Sequence, residues 1–146
     1  KLKEMPKIKR QPLVISRNGI GPKSESVFAL GYPWTNTLQD QHALLEGAAG
    51  KASILIDLKM PLNPVHSGSP LFNSQQEVVG MVLMGIHAKA AFPVKGTHHF
   101  AIPLLLLEKA LKASKIDFTG LREKPFLTRD EFIEKSRNNI VLIEAR

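Results

Sequence analysis

Short apolar runs, each closed by glycine, proline or asparagine, follow one another from position 12 to position 102 of this 146-residue chain. That spacing is too tight for alternating helices and strands, and it suits a sequence of short antiparallel strands. The runs expected as strands cover residues 26–30, 41–46, 52–58, 70–72, 78–86 and 97–102, with a further short apolar run at 12–15. Within them Ser53-Ile54-Leu55-Ile56 is continuous rather than alternating, as in a strand buried on both faces. The intervening turns are expected at 17–24 (Asn18-Gly19, Gly21, Pro22), 31–34 (Gly31-Tyr32-Pro33-Trp34), 47–51, 73–76 and 87–96.

The rhythm then changes. Pro103 suits the first turn of a helix, where its missing N–H costs nothing. Leu104, Leu107 and Leu111, with Leu105, Leu106 and Ala110, give that helix a broad apolar face ending near Ser114. Several short strands closed by one helix favour a mainly β fold, an antiparallel β-barrel with a C-terminal helix packed on it. Residues 1–114 are expected to form this domain, opened by a charged lead-in at 1–10, and residues 115–146 a C-terminal extension. In the extension, Thr128-Arg129-Asp130-Glu131 reads as a capping box, Thr128 at N-cap and Glu131 at N3, starting a helix that runs to about Arg137. Asn138-Asn139 breaks it, and Ile140-Val141-Leu142-Ile143 reads as a terminal strand, docked on its own sheet or paired with a neighbouring chain.

Composition removes several classes of function. Hydrophobic residues make up 43% and charged residues 23%, the balance of a globular domain. No apolar run approaches the roughly 20 residues that span a bilayer, so no membrane partner is expected. The first residues are basic with no apolar h-region behind them, so no signal peptide is expected there. A chain opening on Lys1 reads as a fragment or a processed product. The net charge is +7, but Lys1, Lys3, Lys7, Lys9 and Arg10 supply much of the excess. Aromatic residues for base stacking are only 6%, so no nucleic-acid partner is expected. There is no cysteine, no Gly-rich phosphate loop, no His-Glu-x-x-His and no EF-hand, so neither a cofactor nor a metal is expected.

The chemistry concentrates at Asn63-Pro64-Val65-His66-Ser67-Gly68-Ser69-Pro70-Leu71-Phe72. A serine hydroxyl is a poor nucleophile unless it is exposed, near a base, and beside N–H groups that can bind an oxyanion. A tight Gly/Pro-bounded turn feeding a buried strand supplies the first and third of these needs. Read with Gly31-Tyr32-Pro33, Val78-Val79-Gly80 and Phe100-Ala101-Ile102-Pro103, the stretch resembles the nucleophile region of trypsin-like serine proteases, in particular the HtrA/Deg group. That group's pattern runs Asn-Pro-Gly-Asn-Ser-Gly-Gly-Pro-Leu, then a Val-Ile-Gly strand, then Phe-Ala-Ile-Pro.

The resemblance implies the second barrel of a two-barrel protease. Ser67 would be the nucleophile that forms an acyl-enzyme, and the backbone N–H groups of Val65 and Ser67 would form the oxyanion hole. A polypeptide substrate would add along Val82, Leu83, Met84 and Gly85. The apolar rim of Leu83, Met84 and Ile86 implies a pocket for small or medium apolar side chains. In the family the base and its orienting carboxylate come from the first barrel. His and Asp would therefore come from outside this chain, from a complementary N-terminal half or another protomer. Of His42, His66, His87, His98 and His99, none falls in a family base position, and Asp57 reads as strand-terminal or pocket-lining.

This chain departs from the pattern at Val65 and Ser69, where the family has glycine, and at His66, where it has Asn or Asp. These departures keep open an alternative, a catalytically inactive protease-fold module that binds polypeptides or mediates assembly. An isolated barrel with an uncovered apolar face is further expected to self-associate as a homo-oligomer.

Overall fold

Val27-Phe28-Ala29-Leu30 is apolar at every position because both of its faces are covered. Val27 and Ala29 lie in the cluster that fills a barrel, while Phe28 and Leu30 lie in a second cluster outside it. The structure, a computed structural model, describes residues 13–16, 18–20, 25–31, 43–52, 54–62, 66–83, 99–116 and 127–139. Its strands are β1 (Glu25–Gly31), β2 (Ala43–Ala52), β3 (Leu55–Lys59), β4 (Pro70–Asn73), β5 (Val78–Leu83) and β6 (His99–Pro103). They close into an antiparallel barrel in the order β1-β2-β3-β6-β5-β4. The expected mainly β barrel with a closing helix is what forms.

The interior is filled by Val27, Ala29, Ala49, Ile56, Leu58, Met60, Leu62, Leu71, Val79, Val82 and Ala101. Closure removes the unpaired edges that would otherwise recruit other chains. Val79 and Val82, three residues apart, both reach this interior although strict alternation would send them to opposite faces. The register explains it: Leu71 pairs with Gly80 and Phe72 with Val78, so Val79 is an extra residue and the facing of β5 shifts by one.

One expected turn is strand. Residues 47–51 lie within β2, which runs unbroken through Gly47 and Gly50 to Ala52 and pairs with β1 along its first half and β3 along its second. Glycine is there for close approach: a Cβ on Gly47 would lie 2.3 Å from Met60 Cβ and 2.5 Å from the Lys59 carbonyl oxygen. Ile54, expected within a doubly buried run, sits in the β2–β3 turn and is 66% exposed.

Helix α1 (Leu104–Ala113) begins one residue later than expected, because Pro103 keeps an extended backbone (φ −66°, ψ 149°) and acts as N-cap. Its apolar face is also narrower than the leucine pattern suggests. Leu104 is buried, Leu107 and Leu111 are half-buried, and Leu105 and Leu106 face outward at 63% and 38% exposure. The helix ends at Ser114 in a Schellman motif: Lys115 N–H donates to Lys112 O, Ile116 N–H to Leu111 O, and Lys115 adopts φ 55°.

Helix α2 (Arg129–Ser136) starts at the expected capping box and passes into a 3-10 turn, Arg137–Asn139. Glu131 N–H donates to Thr128 Oγ1 at 3.3 Å, while Thr128 N–H and Oγ1–H both donate to Glu131 Oε2, at 2.8 and 3.0 Å. The backbone bond first, then the hydroxyl bond, holds the Glu131 carboxyl below its ordinary value. Phe132 projects from α2 onto the outside of the barrel. It meets Phe28 and Phe72 edge-on, with centroids 5.4 and 4.9 Å away, while those two rings stack at 5.3 Å.

The described part of the short run expected at 12–15, residues 13–15, also lies on the barrel. Val14 O accepts from Val78 N–H (2.8 Å) and Ser16 N–H donates to Val78 O (3.0 Å), a parallel bridge at the start of β5. The lead-in at 1–10, the continuation of β5 to 86, the loop at 87–96 and the tail at 140–143 lie outside the described residues.

Candidate active site

The four residues His66-Ser67-Gly68-Ser69 make the sharp turn that delivers the chain into β4. Ser69 N–H donates to His66 O at 3.0 Å, closing a β-turn. Gly68 takes the third position with φ 86°, the place that type II turns give to glycine because a side chain there is strained. Two further bonds fix the turn to the neighbouring strand: Gly68 N–H donates to Val82 O (2.9 Å), and Val82 N–H donates to Ser69 O (2.8 Å). Ser67 therefore stands at the exposed apex of a loop pinned on its C-terminal side, with the barrel interior behind it.

Adjacent side chains in a turn point apart, and here the divergence is nearly complete. Ser67 is exposed, whereas His66 turns inward and is 2% exposed. Beneath the turn the end of β1 comes close. A Cβ on Gly31 would lie 2.5 Å from Ser69 Oγ and 3.4 Å from His66 Cδ2, so glycine is the residue that lets β1 pass under the loop. Ser69 is itself buried, at 6% exposure. The glycine that opens the Gly-Tyr-Pro segment thus serves the Ser67 turn directly, although Tyr32 and Pro33 lie outside the described residues.

The other residues singled out from sequence are placed differently from one another. Val82 is fully buried, and its N–H and C=O are both given to the turn, so its part is to hold the loop. Leu83 is half-buried and pairs with Phe100 of β6. Val65, Met84, Gly85, Ile86, His42, His87 and His98 lie outside the described residues. Asp57 is half-buried in the middle of β3, between Gly50 and Phe100, rather than at a strand end. His99 is half-buried at the start of β6. Among the described residues no group of three or more His, Asp or Glu is placed to hold a metal ion. No described helix is long and apolar enough to cross a membrane.

Two features were beyond sequence reasoning: the contact of Gly31 with Ser69 and the commitment of Val82 to the turn. Both join residues far apart in the chain, and only the barrel register brings them together.

A closed six-stranded antiparallel barrel with a closing helix, presenting a serine on a turn between β3 and β4, is the architecture of a trypsin-like barrel. The chain belongs to the trypsin-like peptidase domain family, which matches residues 4–81 and so takes in β1 to β4 and the first part of β5. No curated protein matches the chain significantly.

Proposed function

We propose that this chain is the nucleophile-bearing part of a trypsin-like serine endopeptidase of the HtrA/Deg kind. Ser67 attacks the peptide carbonyl, its oxygen forming the new bond to carbon. A histidine from outside this chain takes its proton and returns it to the leaving amine, and water then releases the acyl group. The N–H groups of Ser67 and Val65 receive the oxyanion. The substrate chain adds beyond Val82, along Leu83, Met84 and Gly85, because Val82 is already bonded to the turn. The complementary half carrying His and Asp is a separate segment or another protomer.

The observation that carries this reading is the exposure of Ser67 at the apex of a turn tied to β5 by two hydrogen bonds. Such a loop holds an attacking oxygen in place without ordering cost at the moment of reaction. Without its base a serine enzyme loses on the order of 10⁶ in turnover, so the isolated chain is expected to be nearly inert. The test joins it to its complementary half and measures labelling by a fluorophosphonate probe. Labelling that disappears in Ser67→Ala supports the assignment, and equal labelling of the two proteins ends it.

The second reading, an inactive protease-fold module that binds polypeptides or mediates assembly, is favoured by the turn's own composition. His66 fills the interior beneath Ser67 where the resembled pattern has Asn or Asp, and Val65 replaces the pattern's glycine. Under that reading the completed protein stays unlabelled while peptide binding along the β5 rim persists.

A further inference from the structure

The turn that carries Ser67 belongs to a short hairpin, and the far end of that hairpin is gripped by the C-terminal segment. β4 has four residues, Pro70–Asn73, so Phe72 lies only about 10 Å along the strand from Ser69. Phe72 is fully buried, with the ring of Phe132 packed edge-on against it and that of Phe28 stacked on it. A second contact is independent of the rings. Gln76, in the β4–β5 turn, holds the left-handed conformation (φ 63°) that usually falls to glycine, and its Nε2 donates to Leu127 O at 2.7 Å. Within the turn, Asn73 Oδ1 accepts from Gln75 and Glu77 N–H, and Asn73 Nδ2 donates to Glu77 Oε2.

Between the gripped end and the nucleophile turn lies the register shift at Leu71/Phe72. A one-residue move of the register at such a bulge would reverse which side chains face the core. The aromatic cluster selects the arrangement in which Leu71 faces in and Phe72 faces out. The same arrangement sets Ser69 opposite Val82, and hence fixes the turn.

We propose that residues 127–139 are a clamp on this hairpin, and that Phe132 and Gln76 are positioning residues for Ser67. This rests on the reading of Ser67 as the nucleophile. The clamp itself can be judged without that reading.

The experiment is amide hydrogen exchange on the full 146-residue chain and on Phe132→Ala, Phe132→Leu and Gln76→Ala variants. It compares the Gly68, Ser69 and Val82 amides with those of β3. Phe132→Ala is expected to speed exchange at the three turn-linked amides by about tenfold more than at β3. Phe132→Leu should recover most of that protection, and Gln76→Ala, which removes the donor to Leu127 but keeps a Cβ at the left-handed position, should give a smaller change of the same selectivity. Equal acceleration at β3 would mean only general loss of stability and would overturn the proposal, as would unchanged protection at the three amides. If Phe132→Ala does not fold, the same two criteria applied to Gln76→Ala decide. Fluorophosphonate labelling of the completed protein separates the two claims. Equal labelling of wild type and Ser67→Ala would remove the nucleophile, while the clamp would still stand or fall by the exchange rates alone.

Discussion

Replacing Gly31 with alanine tests the packing beneath the Ser67 turn with a single methyl group. The new Cβ would lie 2.5 Å from Ser69 Oγ, so the hydroxyl must retreat by about 0.8 Å or more to reach ordinary contact. The backbone of Ser69 cannot move freely, since its N–H is bonded to His66 O and its C=O to Val82 N–H. The hydroxyl can escape only by rotating about χ1, in surroundings where Ser69 is 6% exposed and His66 Cδ2 sits 3.4 Å from the same Cβ. Overpacking of this kind costs about 1–3 kcal/mol, and the rotatable hydroxyl places this case near ~1.5 kcal/mol. At about 4 °C per kcal/mol for a domain of this size, the midpoint of thermal unfolding should fall by roughly 6 °C.

The decisive assay is a double-mutant cycle by urea or thermal denaturation with Ser69→Gly, which removes the clashing oxygen. Gly31→Ala should then be tolerated, with a coupling of about 1 kcal/mol between the two sites. A Gly31→Ala protein as stable as wild type, or strictly additive effects in the double mutant, would refute the idea that the turn requires glycine at position 31.

Other expectations are simpler. Phe72→Ala removes the ring shared by the outer aromatic cluster and should cost about 3–5 kcal/mol in chemical denaturation. Thr128→Ala should cost about 1 kcal/mol through the lost N-cap, read as a lower melting temperature. Glu131 is held below its ordinary value when folded, so its contribution is present above the unfolded carboxylate pKa, near ~4.3, and is lost as pH falls through the folded value. A Glu131→Gln variant should accordingly show a flatter stability profile in that acid range. Lys115→Gly should stabilise the end of α1 by about 0.5–1 kcal/mol, because Lys115 holds φ 55° where glycine is unstrained.

Local pattern was enough for what depends on local chemistry. Short β-branched runs and Gly/Pro/Asn punctuation announce strands and turns, because backbone preference and the period of two act within a few residues. The Thr128–Glu131 box announces a helix start for the same reason, since both hydrogen bonds are made inside one turn. The Ser67-Gly68 pair marks a tight turn with an exposed hydroxyl because the positive φ is a property of one residue.

Local pattern misled where glycine had two meanings. Gly47–Lys51 reads as a turn by composition and is strand in fact, since Gly47 answers to Met60 across the sheet rather than to a bend. The leucines of α1 likewise show that apolar periodicity says what a helix could bury; the neighbouring strands settled that Leu104 is covered and Leu105 is not. Barrel closure, the extra residue in β5, the passage of Gly31 under Ser69 and the seating of Phe132 on Phe72 were decided by tertiary structure alone. Each joins residues whose separation along the chain carries no local signal, and each exists only once the sheet has closed and its register is set.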